Sequence, residues 1–220
     1  MVADRLALVR ERIESAAKTA AREALDVTLI AVSKSRTVDE IGAAYDSGQR
    51  DFGENRVDEL ARKAPLLPTD INWHFVGSLQ SRKAPVAAQW THLLHSMDRL
   101  SLARRWASTK PQVPCLLQVN IGAETQKHGV APASLDETLD DLAAVGVRPV
   151  GLMAIPPAPD APEAARPYFA ELAALARRAR ETHTGLTELS MGMTDDFEVA
   201  VQEGATMVRV GRAIFGTRTD

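Results

Sequence analysis

Eight times along the chain a short β-branched or apolar run gives way to a polar loop and then to a longer segment of helical period. The runs are Val27 to Val32, Arg50 to Gly53, Trp73 to Gly77, His92 to Ser96, Cys115 to Asn120, Arg148 to Ala154, Thr187 to Met191 and Thr206 to Val210. Between them lie helical segments such as Val38 to Ser47, Arg56 to Lys63, Arg99 to Ser108, Ser134 to Val145, Glu163 to Thr182 and Asp195 to Glu203, with an extra helix over Ala3 to Ala21 in front. Strict alternation of this kind builds parallel strands joined by helical crossovers, which leaves a closed barrel or an open doubly wound sheet. Eight units without any Ser/Gly-rich linker favour the barrel, an α/β fold of (β/α)8 type in one domain spanning residues 1–220. The Pro-rich stretch Ile155 to Pro162 then reads as a strand-to-helix loop. Thr37 and Glu40 have capping-box spacing, while Gly48 and Gly204 stand where helices should stop.

Composition narrows the range of functions. With 220 residues, 45% hydrophobic and 25% charged, the chain can bury one substantial core. A net charge of -3 with both signs interspersed gives no basic footprint, so nucleic acid is not an expected partner. Charged residues interrupt Met1 to Glu23 throughout, which excludes a signal peptide or a membrane span there. Cys115 is the one cysteine and lies in the apolar run Val113 to Val119, which reads as a buried thiol in a reducing cytoplasm, not a disulfide or thiolate metal site. His92, His128 and His183 show no metal-ligand spacing, and no metal is expected.

In a parallel barrel the chemistry collects at the C-terminal ends of the strands. The polar residues placed there are Ser33 and Lys34, Glu54 and Asn55, Ser78, His95 and Ser96, Gln118 and Asn120, then Ser190 to Thr194 and Arg209 to Arg212, with Met153 in the sixth run. The last two loops, Ser190-Met-Gly-Met-Thr194 and Arg209-Val-Gly-Arg212, place glycine and donors between a strand and a helix start, as phosphate-binding barrels do. Gly192 and Gly211 equally suit tight turns that bind nothing. Lys34 puts a primary amine at the barrel mouth; desolvation or a neighbouring cation such as Arg209 would bring it toward imine chemistry, whereas most lysines are simply solvated. His74, between Trp73 and Phe75, reads as a hydrogen-bonded barrel residue, and Trp90 and Trp106 as helix-to-barrel packing. Asp195 and Asp196 suit the positive end of the helix they open.

Taken in order, Ala31-Val-Ser-Lys34, Phe52-Gly-Glu-Asn-Arg56, Trp73-His-Phe-Val-Gly77 with Leu79-Gln80, and Gln118-Val-Asn120 form a recognisable series. It continues through Gly151-Leu-Met-Ala-Ile155, Leu189-Ser-Met-Gly-Met193, Val208-Arg-Val-Gly211 and Ile214-Phe-Gly216. From Val27 to Gly216 the chain resembles the YggS/PROSC family of pyridoxal 5′-phosphate (PLP) homeostasis proteins. The resemblance implies a single barrel like the N-terminal domain of alanine racemase, with PLP as a Schiff base on Lys34. It assigns the phosphate cradle to Ser190, the Gly192 turn and the backbone of Gly211 and Arg212, sets Arg209 at the pyridine nitrogen, and makes Asn55, His74, Ser96 and Met153 lining residues. Arg82 stands where the family pattern has asparagine, and Thr194 where it has serine.

That resemblance implies a PLP carrier acting as a monomer, with PLP-dependent apo-enzymes as partners and no turnover of its own. A racemase-like enzyme is the alternative, and a class I aldolase a third that shares the fold. Racemisation needs acid/base groups on both faces of the cofactor. With Tyr45 and Tyr168 each inside a helical segment and Asp220 following at once on the last barrel element, the second base is expected to be missing.

Overall fold

The eight apolar runs pair in sequence order. In the computed structural model, which describes residues 1–109, 112–124, 126, 128–158 and 160–217, the strands are β1 (Thr28–Val32), β2 (Asp51–Glu54), β3 (Asn72–Phe75), β4 (Leu93–Met97), β5 (Cys115–Val119), β6 (Gly151–Ala154), β7 (Glu188–Ser190) and β8 (Met207–Val210). They form one closed parallel barrel in that order. It closes through β1 and β8, where Thr28, Leu29, Ile30 and Ala31 pair with Met207, Val208, Arg209 and Val210. The sixth strand begins later than Arg148 because Pro149 has no N–H to give to a ladder.

Around the barrel run α1 (Val2–Thr19), α2 (Val38–Asp46), α3 (Val57–Lys63), α4 (Ala84–Ala88), α5 (Leu100–Ala107), α6 (Leu135–Ala144), α7 (Arg166–Ala179), α8 (Phe197–Gln202) and α9 (Arg212–Phe215). The hydrophobic period marks neither α4 nor α9, since four or five residues cannot display a 3.6-residue repeat, although the Arg209 to Arg212 loop does lead into a helix start as expected. The segment expected as one helix from Glu163 divides into a 3-10 turn, Pro162–Ala165, and α7, whose start Pro167 fixes near its first position. Thr37 Oγ1 accepts from Glu40 N while Glu40 returns to Thr37 N, so the capping box forms as spaced. Gly48 and Gly204 close their helices with positive φ, 84° and 102°. Arg218 to Asp220, the end of the expected domain, and Pro159 of the Pro-rich loop lie outside the described residues.

Two apolar layers result. The larger lies between sheet and helices; the smaller, inside the barrel, comprises Ile30, Leu93, Leu116, Met153 and Met207. Cys115 is buried in the larger layer, and burial pushes its thiol up to about 12. Among the described residues the short α9 is the one helix after β8, and α1 packs beside it at the closure. Leu6, Val9, Ile13, Ala16 and Ala17 form its buried stripe at helical spacing. The stripe packs on α2, α8 and α9. Arg22, just beyond α1, ties this corner down through Ala205 O at 2.9 Å and Val201 O at 2.5 Å. Among the described residues no helix is long and apolar enough to cross a membrane.

Leu6→Ala would leave a cavity under α1 costing about 2–5 kcal/mol, which calorimetry should register as a Tm lowered by roughly 2–4 °C for each kcal/mol in a domain of this size. Leu8→Ala, on the exposed side of the same helix, should stay within about 0.5 kcal/mol of the parent. Equal losses for the two would mean that α1 does not cover the barrel closure.

Candidate functional site

The loop after β1 is held from below by buried charge. Ser35 takes the left-handed conformation with φ 60°, unusual for a residue with a side chain. Its N–H donates to Glu59 Oε1 at 2.6 Å, and Arg36 N–H donates back to Ser33 O at 3.0 Å, so the turn is fixed at both ends. Glu59 is in turn held by Lys63, whose buried ammonium donates to Glu59 Oε1 at 2.6 Å, Glu54 Oε1 at 2.7 Å and Ser33 O at 2.8 Å. The Ser33 hydroxyl donates to the same Glu54 Oε1 at 2.8 Å. Glu54 Oε2 is buried with no hydrogen-bond partner. Burial raises the Glu54 carboxyl above its ordinary range, while Lys63 pulls it back. Lys34 stands on top of this turn, exposed, and its amine makes no hydrogen bond or ion pair with a described residue. Ser33, Glu59 and Lys63 are thus engaged in fixing the backbone that leads to Lys34. Backbone strain held in place by surrounding contacts is a feature of ligand sites.

Inside the barrel a second polar group crosses from the floor toward the mouth. Arg209, on β8 and paired in register with Ile30, is 4% exposed. Its guanidinium donates to Ser190 Oγ at 2.6 Å and to Ala154 O at 2.9 Å. Ser190 Oγ lies 2.8 Å from His95 Nδ1, His95 Nε2 lies 2.9 Å from His74 Nδ1, and His74 Nε2 lies 3.1 Å from Asp51 Oδ1. Asn72 Nδ2 completes the lower end, donating to Asp51 Oδ1 at 3.1 Å. Burial holds both imidazoles below the usual histidine range, His74 against the pull of Asp51 and His95 well below with help from His74 and Arg209, which favours the neutral form of each ring. Burial also lowers Arg209 to about 10, countered by Asp196, which leaves it protonated near neutrality.

The residues read from the sequence therefore divide between two levels. Lys34, Asn55, Gly192, Gly211 and Arg212 lie at the mouth, on the loops after β1, β2, β7 and β8. Asn55 is half-buried, and its side chain makes no hydrogen bond with a described residue. Ser96, near the end of β4, donates to Gly77 O at 2.5 Å, which ties that strand to the loop after β3. A side chain at Gly77 would stand 2.2 Å from Asn55 O, so the loops after β2 and β3 pack at a distance that only glycine permits. Gly192 has φ 89°, and a Cβ there would meet Ala200 Cβ at 2.5 Å. The Arg212 side chain turns out to Asp195, while the backbone N–H groups of Arg212 and Ala213 open α9 without helical acceptors.

His74, Met153 and Ser190 lie lower and are buried. Ser190, expected in a phosphate cradle, has its hydroxyl engaged by Arg209 and His95 inside the barrel, which makes it a support for Arg209. The open hydroxyl of that loop is Thr194, half-buried and without a hydrogen bond to a described residue. Among the described residues no group of three His, Cys, Asp or Glu side chains could hold a metal ion. Sequence reasoning placed His95 at a strand end but gave it no role, and passed over Asp51, Glu59 and Lys63. The available signal was a polar residue within an apolar strand, as at His95 in Leu93-Leu-His-Ser-Met97.

The loop after β1 thus carries an amine with no bond to a described residue, β8 a buried guanidinium, and the loops after the last two strands carry glycines, in a closed eight-stranded parallel barrel of the class that opens alanine racemases. The chain matches the model described as "Alanine racemase, N-terminal domain" over residues 5–219. It belongs to the family of pyridoxal phosphate homeostasis proteins: it is 42% identical over 225 residues to the protein of that name from Pseudomonas aeruginosa, covering 99% of this chain and 96% of that one. Its fold superposes with a TM-score of 0.90 on a protein of unknown function from Bifidobacterium adolescentis, 32% identical, covering 97% of this chain and 94% of that one. PipY of Synechococcus elongatus, solved with PLP bound, is similar with a TM-score of 0.84 at 36% identity, covering 98% of this chain and all of that one, 100%.

Lys63→Met would strip the buried carboxylates of their cation, a loss of about 3–5 kcal/mol in chemical denaturation at pH 7. Glu54, already raised by burial, would rise further without Lys63. A carboxyl whose folded pKa exceeds its unfolded one binds more protons when folded, so stability falls as pH rises through that window. The deficit should thus shrink toward pH 5 and be largest at pH 7 and above; a deficit independent of pH would mean that Glu54 does not depend on Lys63.

Proposed function

We propose that this chain holds PLP covalently on Lys34 and passes it to PLP-dependent apo-enzymes in the cytoplasm, as a monomer and without turning over amino acids. The observation that carries the reading is the uncommitted Lys34 amine, mounted on a fixed turn at the mouth of a barrel whose relative PipY was solved with PLP. When bound, PLP supplies an aldehyde that condenses with a primary amine and a phosphate that accepts hydrogen bonds.

The residues present suit both ends. Lys34 is the amine whose own hydrogen bonds need not be broken first. Thr194 and the opening N–H groups of α9 offer donors to a phosphate, and Gly192 and Gly211 let backbone come close to it. Arg209 has N–H groups beyond the two given to Ser190 and Ala154. A guanidinium only donates, so at a pyridine nitrogen it would favour the unprotonated ring, a weak electron sink that supports carbanion chemistry poorly. Asn55 brings an uncommitted amide to the rim.

Neither Tyr45 nor Tyr168 is placed to serve as a second acid/base group. Tyr45 gives its hydroxyl to Asp70 at 2.7 Å under Arg50, and Tyr168 packs against the outer core from α7. Neither stands on a loop at the mouth, where a second acid/base group would have to be.

Borohydride reduction of the PLP-loaded protein followed by peptide mass spectrometry should find the cofactor on Lys34, and Lys34→Ala should lose the visible cofactor band. Label on Lys83, which pairs with Asp58 at 2.6 Å, would overturn the assignment. The fully loaded protein should give no sustained alanine racemisation; turnover that disappears in Lys34→Ala would establish an enzyme instead.

A further inference from the structure

We propose that Asp51, His74, His95 and Ser190 form a one-way hydrogen-bond line whose task is to aim Arg209, which makes His95 and His74 positioning residues for the cofactor site. The proposal rests on the reading that PLP sits above Arg209.

The direction of the line follows from its two ends. At the lower end Asp51 is a carboxylate, held below its ordinary range by His74 and Asn72 against the cost of burial. It can only accept, so His74 carries its proton on Nε2 and presents Nδ1 as an acceptor. His95 must then donate from Nε2 to His74 Nδ1, which leaves His95 Nδ1 as an acceptor in turn. Ser190 donates its single proton to that nitrogen and offers its lone pair to Arg209. At the upper end Arg209 can only donate. Each group has one arrangement that satisfies both neighbours, and donation runs throughout from Arg209 toward Asp51.

Two fixed ends make the line more than packing. Reversing any one bond would bring two donors or two acceptors face to face in a fully buried place, where an unmet polar group costs about 1–3 kcal/mol. Ser190 cannot turn away from His95 without leaving the His95 nitrogen bare, and Arg209 is gripped by Ser190 on one side and Ala154 O on the other. The guanidinium is thereby held in one orientation from strands on several sides of the barrel: β6, β7 and, through the histidines, β4, β3 and β2. The side chain of Asp51 is 26% exposed, so the line begins near solvent at the floor and ends dry under the mouth.

Protein labelled with nitrogen-15 at histidine allows the first test without a substitution. Two-bond proton–nitrogen correlations at pH 7 should show His74 and His95 neutral, each with its proton on Nε2; a proton on Nδ1 of either ring, or a cationic ring, overturns the line. Loading with PLP should move the His95 nitrogen resonances while those of His183, outside the barrel beyond the C-terminal end of α7 and beside Asp140, stay in place; no movement at His95 overturns the link to the cofactor.

The second test uses PLP titration of His95→Leu, Ser190→Ala and the double variant. Each single change should weaken PLP binding roughly tenfold to a hundredfold through loss of a charge-assisted contact. The double variant should be no more than about threefold worse than the weaker-binding single one, because groups acting through one line do not add. Unchanged affinity, or losses that multiply, would sink the proposal. Borohydride should still label Lys34 in these variants. If it fails to label Lys34 in the parent protein, the reading of the site is at fault, whereas the proton positions stand or fall independently.

Discussion

Closure of the barrel through β1 and β8 is the constraint on which the rest depends. It sets Ile30 beside Arg209, and so brings the strand that leads to Lys34 against the strand that carries the guanidinium. An open sheet with the same strands would leave these two at opposite edges. Closure also brings Gly211 to the end of β1, where an added Cβ would lie 3.2 Å from Val32 O. Arg36, in the loop after β1, reaches Gly216 O and stacks 5.8 Å from the Phe215 ring centroid, so the two ends of the sheet are joined again above the strands.

Two groups of buried polar residues, one between β2 and α3 and the other inside the barrel, follow different physical logic. The Lys63 cluster consists of ions taken out of water, and it holds only because one ammonium faces two carboxylates and a carbonyl. The line under Arg209 has ions at its ends and neutral groups between, so the desolvation cost is confined to the ends and the middle needs only matched donors and acceptors. The first fixes backbone beneath an amine; the second fixes a side chain. Apolar filling of the same space, as Ile30, Leu93, Leu116, Met153 and Met207 provide for the remainder, would do neither.

The strands, their order of occurrence and the loops that face the mouth were legible in the sequence because hydrophobic period and strand polarity are local properties. So were the positions of Lys34 and Arg209 at or beside strand ends, and the family to which the series of motifs belongs. What connects residues was not. The line joins positions 51, 74, 95, 190 and 209, and it depends on Gly53 lying opposite His74 and His74 opposite Leu93, a register that no single strand encodes. β4 adds an irregularity: Leu94 and Met97, three residues apart, both face the outer core, so simple alternation misplaces part of that strand. Ser190 looked like a phosphate donor because its loop does; its own position, the last of β7, turns it inward.

The dependence of the closing strands on α1 also has a consequence in time. Domains form as units during synthesis, and at about 5–20 residues per second this chain needs on the order of ten to forty seconds to emerge. Through most of that interval α1 exists without α8 or α9, and of its partners only α2 is made early. Lys34 is synthesised early, but Arg209 joins the fold only with the last strand. An apolar stripe half covered in this way is the kind of surface that a chaperone holds, and the site cannot be complete before β8 is made.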